Sequence, residues 1–192
     1  MLSNIFQRLN WVDVLVIVVL LKVCYAASKN GLPVEIFKLL GTVAATFIAL
    51  HYYTALSDFA LSGINKPKMS LEFVDFLCFL VLAEASYLIF VFLRKITFQL
   101  IKIEAVSTLN KWGGFILGIA RAVLLSGLII FALTISSITY FKNSVISSYS
   151  GKRLFKVCLD TYTAIWDNAA SKFMTKDKFN KTIIEVEAGL KI

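Results

Sequence analysis

The sequence predicts an all-α integral membrane protein: four transmembrane helices with a C-terminal amphipathic helix. Three observations point that way. Hydrophobic residues make up 58% of the 192 residues and mean hydropathy is +0.78, well above the roughly 45–50% apolar content of soluble domains. Four apolar runs of spanning length follow one another, at or near the roughly 17 to 25 residues that cross a hydrocarbon core about 30 Å thick. After them, apolar residues recur at three- and four-residue spacing among basic ones. Backbone groups in lipid must be satisfied within the segment, and the runs lack the alternation of barrel strands, so only helices fit.

The first run is Trp11 to Ala27. Arg8 before it and "YAAS" near its end resemble a secretory signal, but Asp13 and Lys22 interrupt the apolar stretch, which favours an uncleaved helix. "SKNGLP" then makes a turn in which Asn30 and Gly31 accept left-handed backbone and Pro33 suits a first helical turn. Runs one and two (Val34 to Leu56) are therefore expected to form an antiparallel hairpin. A polar loop, Ser57 to Ser70, leads to run three, Leu71 to Leu93. The basic stretch Arg94 to Lys111 is expected to lie along the membrane surface, and run four is Trp112 to Phe141.

Beyond it come a Ser-rich connector and an amphipathic helix whose apolar face holds Phe155, Leu159, Tyr162, Ile165, Trp166, Ala169 and Phe173. That face suits either headgroups or the bundle itself. The last residues, from Lys176, are expected to form a frayed short helix or be disordered. Residues 1–141 thus read as a four-helix transmembrane domain, and 142–192 as connector and helical tail.

Charge and chemistry narrow the function. The net charge of +8 sits between and after the apolar runs, which makes the lipid bilayer the expected partner and excludes nucleic acid. Basic residues are denser on the shorter turn-side loops, which leans towards termini outside. His51, beside Tyr52 and Tyr53, suits an interfacial belt better than a metal site, since zinc needs several ligands at fixed spacing. Cys24, Cys78 and Cys158 are odd in number, far apart and without a CxxC pair, so they read as packing residues. No phosphate-binding loop, zinc-protease or nucleophile-elbow motif occurs. The expectation is no enzyme, no cofactor and no metal.

Ionisable residues inside apolar runs are costly there and mark functional candidates. Asp13, Glu35, Glu72 and Asp75 lie close to helix starts, where a carboxylate favours the dipole. Glu84 and Arg121 each lie about ten residues, or about 15 Å, from the same face, so they could meet, with Lys22 reaching up to join them. Such a cluster would either line a proton or solute path or lock helix packing. In "KWGGFILGIARAVLLSG", Gly114, Gly118, Ala122 and Ser126 recur every four residues, a groove of small side chains that admits a close helix within or between subunits. A homo-oligomer or a membrane-protein partner is expected from it.

"LNWVDVLVIVVLLKVCYAASKNGLPVEIFKLLG" resembles the amino-terminal signature of the colicin V production protein (CvpA) family, with Asp13, Gly31, Glu35 and Gly41 at its matching positions. "LNKWGGFILGIARAVLLSGLII" is similar to that family's fourth helix, matching at Gly114, Gly118 and Arg121. Ala27 and Ala122 stand where the family commonly has glycine, small for small. The resemblance covers roughly residues 9 to 140. It implies a four-helix bacterial inner-membrane protein tied to colicin V production and secretion, and to envelope homeostasis. Relatives that carry a periplasmic protease after helix four imply termini outside; the tail here is too short for such a domain. A small channel or transporter component, with a polar path near Glu84 and Arg121, is the alternative.

Overall fold

The structure, a computed structural model, describes residues 10–62, 70–100, 107–175 and 177–190. It is all helix, with no strand among the described residues. The spans are α1 (Trp11–Asn30), α2 (Leu32–Ser62), α3 (Leu71–Leu100) and α4 (Ser107–Ile135), and each is long and apolar enough to cross a membrane. Then come α5 (Thr139–Ser147) and α6 (Gly151–Ile165), which runs through a π-helical turn (Trp166–Ala170) into the short α7 (Ser171–Phe173). α8 (Thr182–Gly189) follows.

Several boundaries differ from expectation. Run four is two helices: α4 stops at Ile135 and α5 begins at Thr139, across a stretch of serines and β-branched residues that hold a helix weakly. Arg94 to Leu100 is not a separate surface segment but the last turns of α3, and Ser107 to Lys111 opens α4; the residues between lie outside the described ones. The first half of the loop after run two, Ser57 to Ser62, continues α2, and 63–69 are likewise outside the description.

α2 and α4 form the centre. α3 packs along α2, and α1 packs along α4; α3 touches α4 lightly. α1 and α2 barely touch despite the tight turn at Gly31 (φ +78°), so the expected hairpin is splayed. Its cause is the small-residue groove. A Cβ on Gly118 would overlap that of Ala27, and one on Gly114 would lie 2.9 Å from the Gly31 carbonyl carbon. These two glycines therefore receive α1 of the same chain, and the groove is an internal contact. Ala122 and Ser126 are buried further along α4. Asn110 fixes the corner, accepting the Leu32 N–H at 2.7 Å. Gly41 plays the same part for α3, since a Cβ there would meet Phe90 Cβ at 2.8 Å.

The amphipathic helix docks on the bundle, burying Phe155, Cys158, Leu159 and Tyr162 against α4 and α2. Phe155 stacks on Phe131 at 5.6 Å between ring centroids, and Tyr162 on Phe47 at 5.6 Å. Gly127 opens the way, because a Cβ there would lie 2.8 Å from the Leu154 carbonyl. The π-helical turn inserts about one extra residue and rotates the face: Ala170 is buried where Ala169 was expected, and Phe173 is 85% exposed. The expected short helix near the end is α8, docked and not frayed, with Ile183 and Leu190 fully buried.

Gly118→Leu is expected to push α1 off α4 and destabilise the protein by about 1–3 kcal/mol or more, read as a lower melting temperature in detergent; an unchanged melt would refute the tight contact. A second expectation concerns Cys158, which is fully buried. Burial raises its thiol from 9.0 to about 12. The unfolded chain loses that proton first as pH rises, so this contribution to stability is whole below about 9 and declines as the pH climbs towards 12. Maleimide should label Cys158 in the folded protein far more slowly than after unfolding, and equal rates would contradict its burial.

Candidate functional site

Glu35 lies one turn into α2 and is completely buried. Three donors converge on it. Arg121 Nε stands 3.1 Å from Oε2, Lys38 Nζ 3.4 Å from Oε1, and the Asn30 amide donates to Oε1 at 2.8 Å. Lys38 sits one turn beyond Glu35 on the same helical face. Arg121 is 7% exposed; its long side chain runs back towards the turn end of the bundle, which is how a residue deep in α4 meets one near the start of α2. In so dry a place each charge depends on the other.

The expected meeting of Arg121 with Glu84 does not occur. α2 stands between much of α3 and α4, and Arg121 turns to Glu35 instead. Arg121 and Glu84 do border the same cavity, about 510 Å³, between α2, α3 and α4. Its walls are mostly aliphatic and aromatic, with Thr42 and Tyr87 adding hydroxyls. Glu84 is exposed there. Lys22 does not join them: it is exposed on α1 and does not border the cavity.

Asp13 does more than favour the helix dipole. Its carboxylate accepts the Asn10 N–H at 3.0 Å, closing a capping box. It also accepts the Ser150 N–H and hydroxyl at 2.8 and 2.6 Å, and the Tyr149 N–H at 3.2 Å. The start of α1 is thereby tied to the start of α6. His51 is buried within the protein, stacked between Phe47 and Trp166 at 5.3 and 5.1 Å. Its Nδ1 lies 3.0 Å from the Tyr162 hydroxyl and its Nε2 3.9 Å from Asp177. Tyr52 donates to Asp177 at 2.9 Å, and Asn180 donates to the Leu50 carbonyl at 2.8 Å. This second cluster clasps the tail to α2. Burial raises the Tyr162 hydroxyl above its usual range, against the lowering effect of the Asn180 N–H it accepts.

Among the described residues no group of three or more histidines, cysteines or carboxylates could hold a metal. The charges at Asp13, Glu35 and Arg121 are spent on joining helices. Sequence reasoning left Glu35 as a carboxylate beside a helix start and missed Asp177 and Asn180; the signal for Glu35 was its spacing to Lys38 and to Asn30.

Replacing Glu35 by Met is expected to cost about 3–5 kcal/mol, because it leaves the buried Arg121 charge unpaired, and replacing Arg121 by Met should cost less, because Lys38 and Asn30 still reach Glu35. The double replacement should cost clearly less than the two added together. A double-mutant cycle on unfolding in detergent measures this, and simple additivity would show that the pair is not coupled.

The sequence was also compared with known proteins. Neither the curated proteins nor the solved structures gave a match. A family model described as colicin V production protein matches residues 12–156. That match contains Asp13, Gly31, Glu35, Gly41, Gly114, Gly118 and Arg121, and it runs on through α5 into α6, beyond the fourth span where the resemblance was expected to end. With three quarters of its length inside that match and four helices able to span a bilayer, the chain belongs to the colicin V production protein family, as a multi-pass membrane protein.

Proposed function

We propose that the chain is a non-enzymatic scaffold of the bacterial inner membrane that supports toxin production and secretion, or envelope homeostasis, by holding helices together. The observation that carries this reading is the use made of the buried charges at family-matched positions. Asp13 ties α1 to α6, and Glu35 with Arg121 ties α2 to α4. Internal packing occupies Gly114 and Gly118, so contacts with other proteins fall to the outward edges of the bundle. If all four helices cross, the start of the first and the end of the last share one side, and the charge density of the turn-side loops supports that side being the outer one.

The cavity bordered by Glu84 and Arg121 favours a second reading, a small channel or transporter component. Two measurements separate them. In a deletion strain carrying a colicin V system, the wild-type chain should restore secreted toxin, and Gly118→Leu should not; full toxin output without the chain would sink the scaffold. Purified protein in proteoliposomes should show no proton or solute flux. A flux that falls on Glu84→Gln would establish the channel in its place.

A further inference from the structure

Away from the helix ends, two charged side chains are exposed on the spanning helices with no salt bridge among the described residues: Lys22 on α1 and Glu84 on α3. Each stands in the middle of an otherwise apolar stripe. On α1 the stripe is Val14, Ile17, Val18, Leu21 and Tyr25; on α3 it is Leu77, Leu80, Val81, Leu88 and Phe92. Lipid satisfies the apolar residues but not the charges. Glu84 lies well over a dozen residues from Leu100 and about as far from Leu71, or about 20 Å from either end of its helix. A short carboxylate cannot reach headgroup water from there, so its charged form needs a cation brought to it within the membrane. The nearby Arg121 is already engaged by Glu35.

The fold sets the two stripes at opposite edges, since α3 rests on α2 and α1 on α4. It also sets them at nearly one depth. Ala27 faces Gly118, Leu32 meets Asn110, Tyr53 meets both Phe131 and Phe79, and Ser57 bonds Asp75. Counting along these registers places Lys22 and Glu84 about three residues, or about 4–5 Å, apart along the membrane normal. The four-carbon lysine stem covers that difference. Both helices run the same way through the bundle, so two copies inserted alike present them in parallel.

We propose that a second copy of this chain lays its α1 stripe against the α3 stripe of the first, with Lys22 of one copy pairing with Glu84 of the next. The inference rests on the scaffold reading and names the surface that such a scaffold uses. The contact is head-to-tail, so a pair of copies keeps one free face of each kind and the assembly grows into a ring or a row.

The test uses full-length chains carrying two different tags, co-expressed in bacterial membranes, with a photo-crosslinking residue at Val81 or Leu88. The wild type should give copy-to-copy adducts. Lys22→Glu alone and Glu84→Lys alone set like charges against each other, and each should cut the adducts about tenfold, roughly the effect of 1.4 kcal/mol. Co-expressed with each other, the two variants again oppose unlike charges at every contact and should crosslink as the wild type does. Lys22→Gln and Glu84→Gln, which melt as the wild type does if they fold, should also lower the yield. Absence of copy-to-copy adducts, adducts only to another protein, indifference to the reversals, or no rescue in the mixed pair would each overturn the proposal. Toxin output in the same strains is read separately: wild-type adducts with toxin unaffected by deletion would remove the scaffold reading and leave the interface standing.

Discussion

Close approach of α1 to α4 at Ala27 and Gly118 is the constraint on which the other contacts depend. In lipid there is little hydrophobic gain from bringing two apolar helices together, so association relies on packing at short range and on polar contacts. A side chain at Gly118 would hold α1 away, and the corner at Gly31 would lose its place over Gly114 and Asn110. With α1 drawn to α4, the upper end of α1 comes within reach of residues 149 and 150, and the amphipathic helix is delivered to the faces of α4 and α2.

Charges then fix what small residues only permit. Glu35 has no exposure and is surrounded by donors from the turn, its own helix and α4. Such a group is a weak source of net stability but a strong source of uniqueness, because any other packing would strand it. The tail follows the same logic: Tyr162, His51 and Asn180 satisfy one another beside a stack of aromatic rings.

The four spans were legible in the sequence because length and apolarity suffice for a helix in lipid. The glycine groove was legible as a groove, since spacing alone puts Gly114 and Gly118 on one face. Its occupant was not, because small residues say that a helix comes close and not which one. Depth counted from the ends of runs led Arg121 to Glu84; the count ignores the reach of an arginine and the position of α2 between α3 and α4. The register of the tail escaped for a different reason. No periodicity in the residues announces a π-helical turn, yet one extra residue there exchanges Ala169 for Ala170 and turns Phe173 outward.

The bond between Asp13 and the turn at Tyr149 and Ser150 joins groups 136 and 137 residues apart. A chain enters the membrane from its amino terminus as it is made. The first helix therefore carries a carboxylate whose partners across the bundle do not exist until the last span has been synthesised and has crossed. Completion of the bundle is thus timed by its own length. A truncation just short of residue 149 leaves all four spans present, yet takes from the acid at the entrance of the first every donor except the Asn10 N–H of its own cap.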